Sequence, residues 1–199
     1  NWLQDKGYNG HEFDYRPSKK KDNTIIYFTR QELDELIEAF KESRTKHSLD
    51  YIDIWRVMYF QCLRSGEVFG KTGIKATDIQ DGQLAVRGKG NKTRQIPLVG
   101  PVKDMLLERK YEAKKSGNLF NLTSHNAFYV YTKELIRKHF PEHRHCLNLH
   151  SLRRGGGVYW TQQGVPMAAI KELMGHSSIT TTERHYARFQ PDGMMSVFS

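Results

Sequence analysis

Apolar side chains recur at helical spacing along most of the chain. Leu33, Leu36, Ile37 and Phe40 fall on one face of a helix that opens at "TRQE". That tetrapeptide is a capping box, in which Thr29 and Glu32 each satisfy the other's backbone N–H. Trp55, Met58, Tyr59 and Cys62 stripe a second helix over about 49–63, which delivers Arg64 near its C-terminal end. The period then shortens to two. Leu84 alternates with Val86, and Ile96 with Leu98, around Gly88-Lys89-Gly90-Asn91, a hairpin signature. Pro101 opens a third helix carrying Val102, Met105 and Leu106, and Ser124 caps a fourth over about 125–139. A fifth starts near His150 and runs to about Gln163. A short sixth opens at Pro166, carries Met167, Ile170 and Leu173 and stops at Gly175. The last spans about 179–189, before Pro191. The sum is a mainly α domain with one small antiparallel β-sheet.

The two ends lack this periodicity. Residues 1–28, with "RPSKKKDN", read as a remnant of a preceding domain and a basic linker, and 191–199 as a short, mildly apolar tail. The compact domain is expected over 29–190. The first residue is Asn1, so a fragment of a longer chain is expected. No apolar run approaches the ~20 residues of a membrane span, and no signal peptide is visible. Two cysteines without C-x-x-C spacing point to a reducing, cytoplasmic setting. The 199 residues carry a net charge of +9, which suits a polyanionic partner, although a generally basic surface would give the same sum.

"GEVFGKT" looks like a nucleotide phosphate loop, but only three residues separate Gly66 from Gly70 where four are needed, and no buried strand precedes it. The preceding "LRSGE" is more informative. Arg64 and Glu67 are one helical turn apart, so the carboxylate can orient the guanidinium; alone, the pair reads equally as a surface salt bridge. "LHSLRR" repeats the theme with His150 and Arg153. "LMGHSS" sets His176 just past a helix end, and Tyr186 follows on the next helix. Two arginines, two histidines, a hairpin lysine and a late tyrosine fit one reaction, attack on a phosphodiester. Guanidiniums hold the non-bridging oxygens, a lysine protonates the leaving alkoxide, and a phenol attacks once a base or positive field activates it.

With "CLRSGEV", "VRGKGNKTRQIPL", "LHSLRR", "LMGHSS" and "TTERHYARF" in that order, the chain resembles the catalytic domain of the tyrosine recombinases, or phage integrases. The resemblance covers about residues 29–190. It implies the tyrosine recombinase/integrase catalytic-domain fold and a site-specific recombinase that breaks and rejoins DNA. On this likeness Tyr186 would form a 3′-phosphotyrosyl link, with no cofactor or metal. Arg64, Arg153 and His176 would stabilise the phosphate, Lys89 would protonate the leaving 5′-oxygen, and His150 would manage the nucleophile's proton. Glu67 would orient Arg64 or His150 from behind. Lys92 and Arg94 compete with Lys89 for its role; otherwise they, with Arg154, would contact DNA phosphates. Tyr159 and the Tyr129/Tyr131 pair are rivals to Tyr186 that do not follow a Gly-His corner.

The likeness further implies double-stranded DNA as partner, a tetramer on two sites during synapsis, accessory DNA-bending proteins, nucleoid association and no membrane. Two other functions stay open: a DNA-binding module without catalysis, and relaxation of the type IB topoisomerase kind. "GGG" at 155–157 departs from helix propensity and suggests close packing or close DNA approach. His139, His143, His145, Cys146 and His150 offer zinc-type ligands but lack a second cysteine pair, so no metal is expected.

Overall fold

The computed structural model describes residues 25–43, 50–88, 92–113, 117–120, 122, 124–141 and 147–191. The helices are α1 (Arg30–Glu42), α2 (Asp50–Phe60), α3 (Ser65–Val68), α4 (Val102–Glu112), α5 (His125–His139), α6 (Leu149–Gln162), α7 (Met167–Met174) and α8 (Ile179–Tyr186). Between α3 and α4 lies an antiparallel sheet of β1 (Ile79–Gln80), β2 (Gln83–Arg87) and β3 (Thr93–Pro97), in the order β1-β2-β3. Among the described residues, no helix is long and apolar enough to cross a membrane.

The capping box at Thr29 forms as read: Thr29 N–H donates to Glu32 Oε2 at 2.7 Å and Glu32 N–H to Thr29 Oγ1 at 3.1 Å. Residues before the expected boundary also pack on the core, Ile25, Ile26 and Tyr27 against its edge and Phe28 within it. Phe28 is fully buried, and its N–H donates to Ser151 O at 3.1 Å.

α2 is the central rod, apolar on nearly every side, and helices pack around it. It is shorter than expected. Phe60 is its last residue, and Cys62 turns the chain at φ 51°. Arg64 therefore sits not at the end of α2 but as the extended residue that caps α3. Its backbone N–H donates to Glu67 Oε2 at 2.8 Å, so the expected one-turn pairing survives the change of helix.

α6 lies against α2, and two of the three glycines make the approach possible. A Cβ at Gly155 would fall 2.1 Å from Phe28 O, and one at Gly156 would fall 1.8 Å from Tyr59 O. Gly157 faces a third way, where a Cβ would lie 2.7 Å from the ring of Tyr186. Close packing accounts for the run, and the helix is intact through it.

In the hairpin, Leu84 pairs with Ile96 and Val86 with Arg94. Directly opposed residues share a face, so Arg94 lies on the inward face beside Ile96. Residues 89–91 at the hairpin tip lie outside the described residues, and Lys89 with them. β1 was not expected; at two residues it is too short for a period to show.

Candidate functional site

Glu67 is the centre of a charge cluster drawn from three parts of the chain. It lies on α3, is 4% exposed, and faces three guanidiniums. Arg64 Nη1 is 3.1 Å from Oε1. Arg94, from β3, grips both oxygens, with Nη1 at 2.9 Å from Oε1 and Nη2 at 3.4 Å from Oε2. Arg153, from α6, brings Nη1 to 3.6 Å from Oε2. Burial alone would raise the Glu67 carboxyl. The hydrogen bonds from Arg94 and from the Arg64 backbone, with the charges of Arg94 and Arg153, outweigh that and hold it below the usual carboxylate range.

Arg153 is 1% exposed. Its Nη1 donates to Cys62 O at 2.5 Å and its Nη2 to Met174 O, so the guanidinium bridges the turn after α2 and the end of α7. Burial and the neighbouring Arg64 lower its pKa to about 10, which leaves it a cation at neutral pH. Arg64 is half exposed and presents its free edge to solvent.

Two histidines complete the rim. His150, in the first turn of α6, is fixed through the cap below it, where its N–H donates to Asn148 Oδ1 at 2.9 Å. Partial burial and the charges of Arg153, Arg154 and Arg64 lower its pKa to about 4. His176 follows Gly175, which ends α7 in the left-handed conformation at φ 62°. Its Nδ1 lies 3.0 Å from Thr182 Oγ1, a buried hydroxyl on α8. Burial, Arg153 and Arg64 again lower its pKa to about 4. Both rings are therefore neutral near pH 7, and an arriving anion that offsets the arginines would raise both.

Tyr186 ends α8 with its ring laid on Gly157 of α6, 2% exposed. Burial first, and then Cys62, raise its pKa well above the ordinary phenol value; Arg153 and Arg154 oppose them. Tyr186 shares the field of Arg153 with both histidines. Its rivals are placed elsewhere. Tyr159 packs on Tyr59 and Phe60, Tyr131 is joined to Ser43 Oγ at 2.8 Å in an aromatic cluster around Tyr51, and Tyr129 is exposed on α5.

The structure thus brings Arg64, Glu67, His150, Arg153, His176 and Tyr186 into one region. Lys92 is exposed at the foot of the hairpin and Arg154 is half-buried beside His150 and Tyr186. Arg94, expected at DNA phosphates, is instead turned inward onto Glu67. Sequence reading also missed Thr182, the partner of His176. Inward parity with Ile96 was the available signal for the first; the second, six residues from the histidine across a loop, left none.

Among the described residues, no group of three His, Cys, Asp or Glu side chains could hold a metal ion. His143, His145 and Cys146 lie outside the described residues.

A sequence profile of the phage integrase family matches residues 27–192. Tyrosine recombinase XerC of Natranaerobius thermophilus is 30% identical over 146 residues, covering 65% of this chain and 48% of that one. XerD of Neisseria meningitidis is 25% identical, covering 84% and 60%. The chain spans about half the length of the relatives it matches. The catalytic domain of bacteriophage HP1 integrase shares the fold at TM-score 0.66 and 23% identity, covering 87% and 94%. XerH recombinase, solved bound to its palindromic difH substrate, shares it at TM-score 0.63 and 20% identity, covering 90% and 54%.

Proposed function

The chain belongs to the phage integrase family, and we propose that it is the catalytic part of a site-specific recombinase that cleaves and rejoins double-stranded DNA through a 3′-phosphotyrosyl intermediate. The observation that carries the reading is the charge excess around Glu67. Three guanidiniums share one carboxylate, and the surplus faces a rim lined by His150 and His176 beside Tyr186.

A scissile phosphate fits that surplus. Arg64 and Arg153 stabilise the added negative charge of the pentacoordinate phosphorus as the Tyr186 oxygen attacks and the 5′-oxygen departs. The neutral histidines suit proton handling: His150 accepts toward the nucleophile's side, and His176, held by Thr182, donates a hydrogen bond to a phosphate oxygen. Lys89 delivers the proton that turns the departing 5′-oxygen into a hydroxyl. Religation reverses each step, so the bond energy is kept without a cofactor. The buried seat of Tyr186 is a resting position, and attack requires α8 to bring the ring off Gly157.

Lys92 and Arg154 contact phosphates beside the break. Residues 1–28 lead to a preceding helical domain that closes the clamp around the duplex. Assembly as a tetramer on two sites, with DNA-bending proteins and in the nucleoid, belongs to the same proposal and rests on family kinship.

A nicked duplex carrying the crossover site tests the reading, because the short strand diffuses away after cleavage. The expected result is a covalent protein–DNA adduct that disappears in Tyr186→Phe while DNA binding persists. Binding without any adduct would reduce the protein to a DNA-binding module.

A further inference from the structure

Arg94 is a charged residue pointing into a domain core from a three-stranded sheet. Its guanidinium touches two segments that each carry a proposed site residue. It grips both oxygens of Glu67, next to Arg64. Its Nη2 donates to Leu173 O at 3.5 Å, near the end of α7. It fills the space under Gly175, where a Cβ would lie 2.7 Å from both Cζ and Nε, and His176 follows at once. On its own side it belongs to the hairpin that bears Lys89. Its Nε is buried and makes no hydrogen bond among the described residues, so the fork is aimed for reach to Glu67 rather than for its own satisfaction.

Resting on the recombinase reading above, we propose that Arg94 is a positioning residue for DNA cleavage. It fixes Glu67, and through it Arg64 and Arg153, and ties the hairpin to the corner that carries His176. Lysine cannot replace it. A single ammonium point cannot bridge two carboxylate oxygens and a carbonyl, whereas a planar fork does. Glycine at 175 is the matching requirement on the other side, since any side chain there would displace the fork.

Arg94 keeps Glu67 ionised while burial pulls the other way. The groups facing that carboxylate are Arg64 at the start of α3, Arg94 from β3 and Arg153 from α6, with His150 further out. Losing Arg94 lets the carboxyl rise, and cleavage gains an acid limb, falling as the pH is lowered.

The test uses the full-length protein on the nicked crossover-site duplex, with R94K, R94Q, E67Q and the double R94Q/E67Q. R94K keeps the cation and guards against misfolding of R94Q. The expected result is an adduct-formation rate at saturating DNA lowered about 10- to 100-fold in R94K and R94Q. DNA Kd and its salt slope stay unchanged. The double variant is no slower than E67Q, and the acid limb of R94Q is absent once Glu67 is gone. R94K cleaving at the parental rate would overturn the inference. So would a loss confined to Kd with the salt slope smaller by about one, the mark of a phosphate contact, or losses that multiply in the double variant. A parent protein that forms no adduct sinks the recombinase reading and this inference together; a parent that does, beside an unimpaired R94K, sinks the inference alone.

Discussion

Two arginine–carboxylate networks flank α2, one balanced in charge and one not. At the start of α2, Arg109 from α4 lies between Asp50 at 2.7 Å and Asp53 at 2.5 Å, and its Nη1 donates to Leu119 O at 3.1 Å. Arg56 also stands 3.8 Å from Asp53 Oδ1, so two anions there meet two cations, and the Arg109 guanidinium covers Phe120. Past the end of α2, one anion, Glu67, has three cations. The first network is closed: its charge is neutralised from within and ties α2 to α4. The second is open, with positive charge left over and pointed at solvent. The balance of signs in a network, rather than the number of ion pairs, separates a strap from an anion site.

The sharpest way to break the comparison is to remove one arginine from each side. Arg64→Ala lowers adduct formation on the nicked duplex by about 10²–10³-fold, because its fork acts on developing charge. Arg109→Ala leaves the rate of the folded protein within a few-fold. Equal losses would erase the distinction.

Stability runs the other way. Arg109→Met takes from Asp50 and Asp53 the cation they share, leaving Asp53 the longer contact to Arg56, and lowers unfolding free energy by about 1–3 kcal/mol. Arg64→Met, half exposed and relieved of like-charge neighbours, changes it by no more than about 0.5 kcal/mol. Denaturant melts of the two variants decide this.

Thr182→Val keeps the shape and removes the hydroxyl that holds His176. Adduct formation falls about five- to tenfold with Kd unchanged.

The smallest effect is with pH. His176 titrates at about 4 when folded and at about 6.5 when unfolded. The folded state therefore favours the neutral ring. That stability is complete above about pH 6.5 and is lost as the pH falls toward 4, where the folded ring charges too. His150 adds a smaller share, since its more exposed ring is better screened. Thermal melts across that window show the decline, and inorganic phosphate, by offsetting the arginines, flattens it. Arg109 and its aspartates give no such phosphate response.

The sequence discloses most of this because the helices are amphipathic and well punctuated. Thr29, Ser124, Pro166 and Gly175 each stand where the chain starts or stops a helix, and the motif residues follow from that frame. Three features escape it for physical reasons. The break at Cys62 carries no glycine or proline to announce it, and it lies where Gly156 packs against Tyr59 O and Cys62 Sγ. β1 is too short to show a period. Arg94 was legible in principle, because the alternation that buries Ile96 and Leu98 puts it on the same side. Its charge argued for DNA, and only the buried carboxylate opposite, on a segment 27 positions away, reverses that argument.

The seat of Tyr186 has a dynamic corollary. Beneath the aromatic ring, α6 offers bare main chain and no methyl to interlock with it. Departure therefore surrenders contact area but meets no knob to climb over. On the proposed function, that area is what a docking DNA strand has to replace.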